Sequence, residues 1–118
     1  MILIVGGEGA GKRTFAKSLG YRDEDMADAC LDNLPVIFHV ERLVFDCPEK
    51  ADTLYDTLLA KEIVICNEVG SGVIPIERSE RLGREAVGRL CVWLASRADT
   101  VVRMVCGIPS VIKGELQI

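Results

Sequence analysis

Three short apolar runs punctuate the chain: ILIV at residues 2–5, EIVIC at 62–66 and TVVRMVC at 100–106. Each is brief and rich in β-branched residues, the pattern of a strand buried on both faces of a parallel sheet. Helical spacing fills much of the chain between them. A helix is expected over residues 12–19. Over 48–61, Ala51, Leu54, Tyr55, Leu58 and Leu59 share one helical face, and Asp46 and Glu49 stand at capping-box spacing. A longer helix is expected over 77–98. There Leu82, Ala86, Leu90 and Leu94 recur every four residues, and Arg78, Arg81, Arg84, Arg89 and Arg97 supply most of the polar surface. LPVIFHVERLVF at 34–45 is ambiguous. Leu34, Ile37, Phe38, Val44 and Phe45 suit a helix, while the β-branched content suits a strand; the helix is the expectation. The acidic RDEDMADACLDN at 22–33 is expected as a short surface helix or loop.

Strands alternating with helices imply an α/β fold with a parallel sheet and right-handed crossovers. In such sheets the loops that leave the carboxyl ends of the strands gather at one edge, where ligands bind. Three loops qualify: residues 6–12, 67–75 and 107–113. They are also the stretches most marked by glycine and proline, which makes that edge the expected site.

Composition narrows the class. With 118 residues the chain fits one domain, 1–118, with a modest core. The formal charge is −4 and aromatic residues make up 5%, a poor match for nucleic-acid binding or an anionic membrane surface. No apolar run approaches the roughly 20 residues of a membrane span, and Met1 is followed directly by a core strand without a basic leader. The five cysteines, Cys30, Cys47, Cys66, Cys91 and Cys106, form no C-x-x-C pair. Cys66, Cys91 and Cys106 lie in apolar stretches and are read as buried reduced thiols, which suits the cytoplasm.

The first loop carries the clearest chemistry. In GGEGAGKRT, Gly6, Gly11 and Lys12 have the spacing of a phosphate-binding loop, G-x-x-x-x-G-K-S/T. Glycines let successive backbone N–H groups turn toward a phosphate, the following helix directs its positive end at the same anion, and a lysine adds a full charge. Gly6, Gly7, Glu8, Gly9, Ala10, Gly11, Lys12, Arg13 and Thr14 are the candidate nucleotide contacts. Arg13 stands where the pattern has the hydroxyl that holds Mg²⁺. Thr14 is one residue late, about 100° around the helix. Asn67 and Glu68 end the second strand. Asn67 is a candidate nucleotide contact, and Glu68 a candidate Mg²⁺ ligand or general base. Asp46 is a second possible metal partner, read first as a helix cap. His39, the only histidine, is read as structural. Arg81 and Arg84 are read as part of a solvated face, with contact to phosphate as the other possibility.

ICNEVGSGVIP and GRLCVWLASRADTVVRMVCGIPSVIKG, together with GGEGAGK, resemble the bifunctional adenosylcobinamide kinase/adenosylcobinamide-phosphate guanylyltransferase family of cobalamin biosynthesis. The resemblance covers residues 1–20 and roughly 62–118. It implies a P-loop α/β fold, often assembled as a trimer. It also implies phosphorylation of the aminopropanol hydroxyl of adenosylcobinamide by a nucleoside triphosphate, then transfer of GMP from GTP through a histidine intermediate. The chain is shorter than that pattern in its middle. The family's guanylylated histidine lies in a basic stretch with an arginine-proline and a tryptophan nearby; FHVERLVF offers His39 and Arg42 without them.

The expectation is therefore a P-loop NTPase-like domain acting as a kinase of adenosylcobinamide. GTP or ATP would be the phosphoryl donor and Mg²⁺ the cofactor, in a homo-oligomer. Lys12 and Glu68 would be catalytic, and no guanylyl group would form on His39. Two alternatives stand beside it: a non-catalytic nucleotide-binding partner of a corrinoid enzyme, and a kinase of another small alcohol.

Overall fold

The run ILIV becomes strand β1 (Ile2–Gly6), which lies inside a six-stranded sheet in the computed structural model, describing residues 1–68 and 77–116. Across the sheet the order is β2 (Met26–Asp28), β3 (Val36–Phe38), β4 (Ile63–Asn67), β1, β5 (Thr100–Val105) and β6 (Ile108–Lys113). The first five are parallel, and β6 returns antiparallel along β5. In register, Gly6 stands between Asn67 and Met104, so the glycine loop leaves the sheet directly beside the end of β4.

The period-two alternation of strand side chains divides the core in two. Leu3 packs on one face with Ile37, Val64 and Val101; Ile4 packs on the other with Val36, Ile63 and Val102. Helix α1 (Lys12–Ser18) covers the Ile4 face through Ala16. Helices α2 (Val40–Asp46), α3 (Tyr55–Leu59) and α4 (Arg78–Arg97) cover the Leu3 face through Val44, Leu58, Leu90 and Leu94. Each fully buried aliphatic side chain contributes about 1.5–3 kcal/mol. That is larger than most local preferences, which is why strands buried on both faces stand out in the sequence. Gly83 of α4 lets α2 approach closely, because a Cβ there would overlap the Phe45 ring.

Strands over 2–5, 62–66 and 100–106 and the helices at 12–19 and 77–98 form as expected, within one or two residues at their ends. Several expectations are corrected. Residues 34–45 are not one helix: Val36–Phe38 forms the short buried strand β3, and α2 starts only after His39. Pro35 biases the residue before it away from helix. The segment is further fixed by Lys61, whose Nζ donates to the carbonyls of Asp32 and Leu34 at 2.5 and 2.6 Å. Residues 22–33 begin with the expected short surface helix, a 3₁₀ turn over Asp23–Asp25, but continue into strand β2, whose Met26 and Ala27 are buried; three residues among acidic neighbours leave too short an apolar pattern to see.

Residues 48–61 begin as a 3₁₀ turn over Pro48–Leu54 and become α-helical only in α3. The Asp46–Glu49 capping box is absent. Asp46 is the last residue of α2, and Glu49 instead accepts a hydrogen bond from the Cys47 thiol at 3.0 Å. Residues 107–113 are not a loop but the edge strand β6. Positive φ at Cys106 (51°) and Gly107 (76°) makes the tight turn into it, and Pro109 is tolerated because the strand lies at the sheet edge. Cys106 is consequently exposed, whereas Cys66 is buried and Cys91 half-buried, and all five cysteines are free thiols. Leu82, expected on the buried stripe of α4, is 43% exposed; Ala86, Leu90 and Leu94 are buried.

Candidate active site

The carboxyl ends of β1, β3 and β4 converge on a cleft of about 460 Å³. One wall is the glycine loop and the start of α1, contributing Glu8, Gly9, Gly11, Lys12, Arg13 and Thr14. Opposite stand Phe38, His39 and Arg42, from the end of β3 and from α2; Ile65 and Asn67 of β4 lie between.

The loop owes its path to its glycines. A Cβ at Gly6 would come within 2.6 Å of the Met104 carbonyl oxygen, so only glycine lets β1 turn there. Gly11 closes the loop with φ 93°, in the left-handed region, and α1 begins at the next residue. The Gly107 N–H donates to the Ala10 carbonyl at 2.9 Å, so the β5–β6 turn supports the loop from outside. Of the stretches expected at this edge, the glycine loop and the turn at Gly107 therefore meet. The third, 67–75, lies outside the described residues beyond Glu68.

Lys12 is only 6% exposed, and its Nζ donates to the Gly7 carbonyl at 2.5 Å, folded back over the loop. Burial pushes its pKa below the ordinary lysine value, partly offset by the nearby Glu41, Glu68 and Glu8 carboxylates. A buried ammonium so placed gains most from an anion that enters the cleft. Arg13 does not occupy a hydroxyl's place in the cleft. Its guanidinium crosses to the far wall and sits over the Phe38 ring, 4.6 Å from the centroid. Thr14, a candidate nucleotide contact one residue late for the motif's hydroxyl, lines the cleft.

Asn67 and Glu68 part company. Asn67 faces the cleft, held by Glu41 of α2: Oε1 accepts the Asn67 N–H at 3.1 Å, and Oε2 accepts the side-chain amide at 3.3 Å. Glu41 is buried and does not stand out in the sequence, where it reads as one more surface charge of a helix. The Glu68 N–H donates to the Gly6 carbonyl at 2.8 Å, which anchors it to the loop's first residue. Its carboxylate is paired with Arg103 of β5, whose Nε and Nη2 donate at 2.8 and 3.2 Å, and it does not line the cleft. That pairing raises the Arg103 pKa.

The far wall escapes sequence reasoning for one reason: residues 34–45 suit either a strand or a helix and are expected as helix, so the residues directly after Phe38 are not placed at the ligand edge. His39 sits there with φ 57° and ψ 39°, and its Nδ1 lies 2.7 Å from Oδ1 of Asp28 at the end of β2. Arg42 approaches the same Asp28 oxygen at 3.7 Å. Among the described residues no group of three or more His, Cys, Asp or Glu side chains is placed to hold a metal ion, and no helix is long and apolar enough to cross a membrane.

This geometry accompanies a family match. Residues 37–112, from β3 through β6 and including Glu41 and Asn67, match the family model for cobinamide kinase / cobinamide phosphate guanyltransferase. The glycine loop lies ahead of the matched span. The chain is also 43% identical over 54 residues to the bifunctional adenosylcobalamin biosynthesis protein CobU of Salmonella typhimurium. That alignment takes in 46% of this chain and 30% of the relative, so the chain matches well under two thirds of that protein's length. With the model matching more than half of its residues, the chain belongs to the cobinamide kinase / cobinamide phosphate guanyltransferase family.

Proposed function

We propose that the protein is a nucleoside-triphosphate-dependent kinase of adenosylcobinamide, working in cobalamin biosynthesis in the cytoplasm. The observation that carries this is the buried Lys12 ammonium, which shares one cleft with the glycine loop and is held there by a carbonyl of that loop. In the working complex the backbone from Gly6 through Gly7, Glu8, Gly9, Ala10 and Gly11 cradles the phosphates of GTP or ATP. Lys12 exchanges its bond to Gly7 for phosphate oxygens, neutralising charge as the γ-phosphoryl group moves. Arg13 and Thr14 flank the phosphates, and Asn67 offers its side chain from the floor.

Mg²⁺ takes few protein ligands at such sites and keeps several waters. In this reading the metal would be held chiefly by phosphate oxygens and water, and Glu68, whose N–H is bound to the Gly6 carbonyl, would have to leave Arg103 to serve as its carboxylate. Bound there, the metal would supply positive charge to offset the charge that develops on the transferring phosphoryl group. Self-association belongs to the same reading, with a trimer as the expected form. Its support is β6, all of whose residues are exposed, including Ile108 at 68% and Ile112 at 62%.

Arg13, stacked on Phe38 where a hydroxyl is expected, favours a second reading: a nucleotide-binding partner of a corrinoid enzyme that performs no transfer itself. Calorimetry with GTP, ATP and adenosylcobinamide in turn, followed by product analysis, separates the two. Phosphorylated adenosylcobinamide supports the kinase; nucleotide binding without product supports the partner.

A further inference from the structure

A catalytic base for phosphoryl transfer should face the phosphate loop across the cleft, carry a free lone pair and be held in orientation by a second group. Among the described residues His39 meets all three conditions. Its ring lines the same cleft as Lys12 and Thr14, on the opposite wall. Its Nδ1 is engaged by Asp28 at 2.7 Å, and its Nε2 has no hydrogen-bonding partner among the described residues. A carboxylate can only accept, so the proton of the neutral ring sits on Nδ1 and the lone pair on Nε2. Phe38 packs against the imidazole edge-on, with centroids 4.8 Å apart, which fixes the ring plane from the other side.

The backbone adds an independent observation. His39 adopts the left-handed conformation, which strains the backbone of a non-glycine residue. Asparagine or glycine would sit there with less strain. A strained turn that delivers the only imidazole of the chain to the cleft is the kind of local cost that clusters at functional sites.

We infer that His39 is the general base of the transfer reaction, with Asp28 as its positioning residue, on the reading of the protein as a kinase given above. The acceptor alcohol occupies the space between His39 and the γ-phosphoryl group on the glycine loop. As its oxygen forms a bond to the γ-phosphorus, the bond from that phosphorus to the β–γ bridging oxygen breaks, and the nucleoside diphosphate leaves with the electron pair. The hydroxyl proton passes to Nε2, and the imidazolium, stabilised by Asp28, releases it to solvent after product leaves. No covalent bond to the histidine forms. The charged groups around the ring are Asp28 and Arg42 on its own wall, with Glu8, Lys12 and Arg13 on the facing loop. The Glu68 carboxylate does not compete for this role, being paired with Arg103 outside the cleft.

His39→Gly tests this without a folding penalty from the backbone, because glycine favours the conformation already present. Turnover of adenosylcobinamide with GTP or ATP should fall by about 10²–10⁴-fold, nucleotide affinity measured by calorimetry should stay at the parent value, and added imidazole should restore part of the rate. The acid limb of the parent pH–rate profile should vanish in His39→Asn. Asp28→Asn, whose amide can donate to Nδ1 and shift the ring proton to Nε2, should lower the rate and respond less to pH. A parent that turns over while His39→Gly keeps full activity overturns the base assignment and leaves the kinase reading standing. Loss of activity in His39→Gly without imidazole rescue overturns the assignment as well. A label from the α-phosphate of GTP bound covalently to His39 contradicts the base role, and a parent with no turnover removes both this inference and the kinase reading.

Discussion

The carboxylate of Glu41 receives both the backbone N–H and the side-chain amide of Asn67, at 3.1 and 3.3 Å, and it is buried as it does so. One contact thus ties helix α2 to the end of β4 and aims Asn67 at the cleft. The same charge acts on Lys12, where it is the largest of the effects that oppose the lowering by burial.

Glu41→Gln should therefore be costly despite its shape. The amide puts an NH2 group where one carboxylate oxygen stood, so one Asn67 donor faces a donor in a half-buried place. The expected loss is about 1–3 kcal/mol, read as a lower urea midpoint with unchanged slope. A variant as stable as the parent would show that the Glu41–Asn67 contact is replaceable by water.

The direction of the Lys12 shift gives a pH prediction. Burial holds its pKa below the ordinary 10.5, so between the two values the unfolded chain binds a proton that the folded chain does not. The burial cost of the charge is full below the folded pKa and fades as pH rises through that window, so Lys12 makes the free protein's stability rise with pH there. A phosphate beside the ammonium reverses the shift. Triphosphate binding in that window should take up protons, detected by calorimetry in two buffers of different ionisation enthalpy. Lys12→Met should bind with less uptake; equal uptake in parent and variant would assign the protons elsewhere.

Glu68 can be separated from its ion pair. Glu68→Gln should leave metal-free nucleotide binding nearly intact and weaken its dependence on Mg²⁺. Arg103→Ala, which frees the carboxylate, should not copy that loss. An unchanged Mg²⁺ titration in Glu68→Gln would reduce the residue to a partner of Arg103.

Features written strongly in local pattern are the ones legible in the sequence. The central strands β1 and β4 are buried over most of their length and β5 over its first three residues, so their apolar runs are easily read, and GGEGAGK sits where the topology needs it. Strands β2 and β3 carry only three residues each, and their identity depends on pairing with neighbours that sequence spacing does not reveal. Without them Asp28 and His39 stay hidden, because the rule that ligands gather at carboxyl ends can be applied only to strands already seen. Glu41 is hidden differently: nothing in VERLVF distinguishes a carboxylate that turns inward to hold Asn67. Conversely, Asn67 and Glu68 are adjacent in sequence and are expected to act together, yet successive residues at a strand end point to opposite sides, and Arg103 is the neighbour that receives Glu68.

The central claim is that the glycine loop with Lys12 is a working phosphate site, and calorimetric titration of Lys12→Ala with GTP and with ATP tests it most directly. The expected result is a folded variant whose triphosphate affinity is lower by about 1.5–3 kcal/mol, the scale of a lost charge-assisted hydrogen bond, or roughly 10- to 150-fold in Kd. A folded Lys12→Ala protein that binds GTP and ATP as tightly as the parent would make GGEGAGKRT a structural turn and contradict that claim.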